Sequence, residues 1–133
     1  MHERVVLSVE DDDAAFHLLK TAFEEGAPAV ELVRVLDGDE ALSFLARRSP
    51  FKNAPRPSLV LLNINLPKKS GLEVLSEIAA NDSLRSIPVV VFTSSSLQAE
   101  RARCLALGAQ DFMTKPASFD GLVEAVRSVC ARA

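Results

Sequence analysis

The chain has 133 residues, 48% of them hydrophobic, enough for one domain with a real core and too few for two comfortable ones. A formal net charge of -3 argues against a general nucleic-acid binder, which shows a basic face to phosphates. No apolar stretch approaches the roughly 20 residues that span a bilayer, and Glu10 to Asp13 interrupt the first apolar segment too early for a signal peptide, so a small soluble cytoplasmic protein without membrane contact is expected.

Arg4 to Val9 is a short β-branched run, and Phe16, Leu19, Ala22 and Phe23 then recur at helical spacing between Ala14 and Glu25, closed by Gly26. Val30 to Leu36 repeats the strand signal, Asp37-Gly38 supplies a turn, and Ala41, Leu42, Phe44 and Leu45 mark a second helix ending near Arg48. Pro50 to Pro57 is a loop. It leads into Leu59 to Leu62, whose unbroken apolar character suits a central strand covered on both faces. Leu72, Val74, Leu75 and Ile78 form a third helix, and Pro88 introduces the strand Val89 to Phe92. Leu97 to Leu107 reads as a helix stopped by Gly108, Gln110 to Met113 as a short strand, and Phe119 to Cys130 as an amphipathic final helix with Ser118 and Asp120 competing for its cap. Cys104 and Cys130 have no metal-type spacing and are expected to be buried as small apolar residues, with a disulfide left open.

Five strand signals alternating with five helix signals predict an α/β fold, a doubly wound open parallel sheet with helices on both faces. In the five-stranded order 2-1-3-4-5, ligands bind beyond the carboxyl ends of strands one and three, where strand order reverses. That edge would gather Glu10 to Asp13, Asn63, Thr93 and Lys115-Pro116, far apart in sequence. Carboxylates, a hydroxyl and an ammonium there suit a hard cation and a phosphoryl group, and Asn63 puts a neutral amide where a carboxylate would serve. Acidic residues also favour helix starts, which is the reading for Asp12 and Asp13.

The chain resembles the receiver domain of two-component response regulators. The resemblance runs through Val9-Glu10-Asp11-Asp12, Leu61-Leu62-Asn63-Ile64-Asn65-Leu66-Pro67 with Gly71, Val91-Phe92-Thr93-Ser94, and Gly108-Ala109-Gln110-Asp111-Phe112-Met113-Thr114-Lys115-Pro116. It covers essentially the whole chain, 1–133, and implies one flavodoxin-like receiver domain that accepts phosphate from a histidine kinase on an aspartate ending the third strand; here that position is Asn63. It further implies Mg²⁺ held through Glu10 and Asp11 with Asn63 and Asn65 as additional donors, Thr93 contacting a phosphoryl oxygen, and Lys115 neutralising the same group. Thr93 and Phe112 would form the switch pair, although Phe112 has no hydroxyl to report through a hydrogen bond. Asn65 and Ser95 would line the pocket mouth, and Lys115-Pro116 is a place where the family often has a cis peptide. Lys68 and Lys69 read as a solvated face that could meet an acidic kinase surface.

An amide is a weak nucleophile, so no stable acyl phosphate is expected on Asn63, and Mg²⁺ should bind more weakly. Lys115, deprived of its anionic partner, should turn toward Glu10 or Asp11, and the amide NH₂ of Asn63 should find a neighbouring carboxylate. Two origins fit: a natural pseudo-receiver acting by binding, or a substitution at an otherwise competent receiver, which the retention of Glu10, Asp11, Thr93 and Lys115 favours. With no effector domain and no enzymatic activity of its own expected, output would pass through a partner surface. The resemblance implies a sensor histidine kinase as partner, of the phytochrome type by its similarity to short regulators of that group, and a possible homodimer through the fourth helix, fifth strand and fifth helix. A flavodoxin-like cofactor binder would need a phosphate-cradling first loop where this chain is acidic. A haloacid-dehalogenase-like phosphatase would find its Asp-x-Asp only in Asp11 and Asp13 of an acidic run.

Overall fold

The run Leu59–Leu62 forms the central strand β3, with Leu59 and Leu61 buried on one face of the sheet and Val60 and Leu62 on the other. Its neighbours are β1 (Arg4–Val9) and β4 (Val89–Thr93), and the edges are β2 (Val30–Val35) and β5 (Asp111–Thr114). All pairings are parallel in the order β2-β1-β3-β4-β5. The helices are α1 (Asp13–Gly26), α2 (Gly38–Leu45), α3 (Gly71–Ala80), α4 (Gln98–Ala106) and α5 (Phe119–Cys130). These observations come from a computed structural model that describes residues 4–94 and 97–131.

The core has two layers. Leu7, Val9, Val60, Leu62, Val89 and Val91 pack with α2, α3 and Cys104 of α4 on one side. Val6, Leu59, Leu61, Val90 and Phe92 pack with α1 and α5 on the other. Burial on both faces explains why the central strands lack polar alternation. Both cysteines are buried free thiols, and burial is the main cause that pushes each thiol above its ordinary pKa. No helix among the described residues is long and apolar enough to cross a membrane.

The element boundaries shift for local reasons. β2 stops at Val35 because the Leu36 N–H donates to Glu40 Oε1 at 2.7 Å, outside the ladder. The second helix ends at Leu45, short of Arg48, and Arg47 turns the chain at φ 55°. Leu97 and Leu107 are the caps of α4 and not part of it. β4 extends to Thr93 and β5 runs from Asp111 to Thr114, one residue later than Gln110 to Met113, because Thr93 pairs with Thr114. Asp12 caps α1, its Oδ1 accepting from the N–H of Ala14 at 2.9 Å and of Ala15 at 3.3 Å, which accounts for that acid without any ligand. Ser118, not Asp120, caps α5. The X-Pro bond that is cis among the described residues is Ser49-Pro50, so Lys115-Pro116 departs from the family expectation and is trans.

Candidate functional site

The parallel register brings the ends of β1, β3, β4 and β5 to one edge. Glu10 follows β1, and its N–H bonds the Val35 carbonyl at 3.1 Å, while the Asn63 N–H bonds the Val9 carbonyl at 3.3 Å. Lys115 follows β5 and donates its N–H to the Thr93 carbonyl at 2.6 Å. Three side chains from three strands then meet. The Lys115 ammonium lies 2.8 Å from Glu10 Oε1, and the Asn63 amide donates to Glu10 Oε2 at 3.2 Å.

Glu10 is only 6% exposed, and a carboxylate so withdrawn from water needs several donors. It has three, because the Asp12 N–H also reaches Oε2 at 3.2 Å. Lys115 thus pairs with Glu10, one of the two acids expected for it. The carbonyl end of Asn63 accepts the N–H of Asn65 at 3.3 Å, which folds the start of the β3–α3 turn over its own side chain.

The other expected residues sit close by with different degrees of access. Asp11 and Asn65 are exposed, and Thr93 is 1% exposed at the strand end. Phe112 is buried, packed into the layer with α2, α3 and α4, with its carbonyl accepting from Arg101 at 2.9 Å. Ser95 lies outside the described residues. Lys68, at φ 64°, reaches Asp37 Oδ2 at 3.5 Å, and Lys69 pairs with Glu77 at 2.5 Å, so both carry ion pairs on the rim of the edge. Beside Glu10, Asn63 and Lys115, a cavity of about 120 Å³ opens under α1, lined further by Ala15, Leu18 and Leu122.

The donor set bears on a cation. Its oxygens are hard and suit Mg²⁺ in kind. Among the described residues, however, no three carboxylate, imidazole or thiol side chains gather to hold a metal. A cation at this edge would therefore rest on Glu10 and Asp11, with neutral oxygens and water completing its shell, and would compete with Lys115 for Glu10.

Arg34 escaped the sequence reading. Its guanidinium binds the Glu10 carbonyl and Asp13, and the one signal for it was a cation interrupting the apolar pattern of β2.

A doubly wound sheet in the order β2-β1-β3-β4-β5, whose carboxyl edge gathers a buried acid, a strand-end threonine and a lysine, has the architecture of a receiver domain. The chain belongs to the response regulator receiver domain family, which it matches over residues 6–127. It is 36% identical over 126 residues to response regulator Rcp1 of Synechocystis sp., covering 95% of this chain and 86% of that protein. The crystal structure of the Mn²⁺-bound form of Rcp1 matches at a TM-score of 0.85, covering 95% of this chain and 91% of that one. The phosphorylated cyanobacterial phytochrome response regulator RcpA is 36% identical with a TM-score of 0.88, covering 97% and 91% of the two chains. The bacteriophytochrome response regulator AtBRR is 37% identical with a TM-score of 0.80, covering 96% and 92%. Family membership sets aside the flavodoxin-like and dehalogenase-like alternatives.

Proposed function

We propose that the chain is a receiver that engages a sensor histidine kinase of the phytochrome type but is not phosphorylated, because Asn63 stands at the acceptor position. The observation that carries this reading is the Asn63–Glu10–Lys115 network, in which the amide takes a place between the buried acid and the turn of β3. The amide oxygen carries no full negative charge and the amide nitrogen's lone pair is conjugated, so neither atom is an effective nucleophile toward a phosphohistidine, whereas a carboxylate would attack in line. A Mg²⁺ ion held at this edge would supply positive charge to offset the carboxylates and an incoming phosphoryl group.

Glu10 and Asp11 are the residues assigned to that ion, with Asn63 and Asn65 as neutral donors. Thr93 and Phe112 are assigned to the switch, which would here answer to partner binding and not to a covalent phosphoryl group. Similarity to the phytochrome-associated regulators supports the kinase type. Exposed Leu97 and Leu105 support a partner or second copy on the face of α4, β5 and α5. The intact set around Asn63 favours substitution at a competent receiver over a long-separated pseudo-receiver.

The test is to mix the chain with a phytochrome-type histidine kinase labelled on its phosphohistidine. Co-purification with the label retained on the kinase is expected. Label transferred to Asn63 would overturn the reading.

A further inference from the structure

Arg34 stands opposite Ser8 in the β1–β2 register, and its side chain runs forward along the sheet toward the turn that follows β1. Nε donates to the Glu10 carbonyl at 2.8 Å, Nη1 donates to Asp13 Oδ1 at 2.8 Å, and the guanidinium carbon lies 4.9 Å from the centroid of the Phe16 ring. One cation from β2 therefore grips the residue after β1 and two residues in the first turn of α1. Nη2 is buried with no hydrogen-bond partner, a costly state that the other three contacts impose.

Those contacts are unequal. The Asp13 side chain is 93% exposed, so its ion pair is screened by solvent and weak. The charge-assisted bond to the Glu10 carbonyl is shielded, and it fixes the peptide plane between Glu10 and Asp11. Rotating that plane would change how Asp11 is set relative to Glu10.

We propose that Arg34 is a positioning residue for Glu10 and Asp11, holding the turn so that the two carboxylates face one cation. This rests on the assignment of those two acids as the cation's ligands. A role through charge alone has the opposite sign, because a nearby cation repels a metal ion and its removal would tighten binding. Lysine keeps the charge but cannot bond the carbonyl, pair with Asp13 and stack on Phe16 at once.

The experiment uses the full chain carrying Asn63→Asp, with Mn²⁺ binding followed by electron paramagnetic resonance and amide exchange measured without metal. Arg34→Lys and Arg34→Met are each expected to weaken Mn²⁺ binding about tenfold, as loss of an outer-shell partner does. Both should also speed exchange at the Asp12 N–H, which Glu10 Oε2 holds. Arg56→Lys serves as control, since Arg56 binds the Ser83 carbonyl and Ser86. Unchanged affinity in Arg34→Lys, or tighter binding in Arg34→Met, would overturn the proposal. If Arg34→Met fails to fold, Arg34→Lys decides through the same two readouts. A parent that binds no Mn²⁺ would overturn the ligand assignment and this proposal with it, whereas a binding parent with unmoved variants would overturn this proposal alone.

Discussion

Asn63→Asp is expected to tighten Mg²⁺ binding by about tenfold. A new anion about 4 Å from the cation contributes on the order of 1 to 4 kcal/mol at effective dielectrics between water and a protein surface, and each 1.4 kcal/mol is about a factor of ten. Two changes offset part of that gain. Glu10 loses the N–H that Asn63 now donates at 3.2 Å, and the new carboxylate draws on Lys115, now 2.8 Å from Glu10. The lower part of the range follows. Because the chain has no Trp and no Tyr, intrinsic fluorescence would report poorly and calorimetric titration is the suitable measurement. Equal affinity in the two proteins would contradict the account of the edge as a cation site short of one charge.

Gly71→Ala is expected to cost about 3 kcal/mol of stability, the upper part of the range for overpacking. A Cβ on Gly71 would stand 2.5 Å from the Asn63 carbonyl oxygen and 2.6 Å from the Ile64 Cα, both backbone atoms that cannot rotate aside. The Gly71 N–H also bonds the Ile64 carbonyl at 2.8 Å, closing the turn that carries Asn63 and Asn65. Relief would require the turn to open at the candidate site itself. Urea unfolding would measure the loss, and Gly108→Ala is a useful contrast: there a Cβ meets only Ala79 at 3.5 Å, and the penalty arises from the backbone at φ 109°. A Gly71→Ala protein as stable as its parent would show that the turn is not packed as described.

The fold was legible because burial on both faces writes unbroken apolar runs into Leu59–Leu62 and Val89–Val91, and the switch-point rule then gathers their ends. The partner of Lys115 was legible only through the resemblance, which gives that lysine an anionic partner at position 63; with an amide there, Glu10 or Asp11 was expected, and it is Glu10. Boundaries were less so. They depend on side chains that cap or divert single N–H groups, as Glu40 does at Leu36 and Asp12 at the start of α1. Arg34 was hidden for a related reason: periodicity places a residue on a face but says nothing of how far a long side chain travels along the sheet. The trans Lys115-Pro116 bond was likewise beyond reach, because an X-Pro isomer is set by tertiary contacts.

Asn63 is proposed as the one residue that keeps this chain from aspartyl phosphorylation. The most direct test is to incubate the chain and Asn63→Asp side by side with a small phosphodonor and Mg²⁺ and to weigh both intact. One hydrolysable phosphoryl group is expected on Asn63→Asp and none on the parent. A labile adduct at Asn63 in the parent, or none on Asn63→Asp, would contradict the proposal.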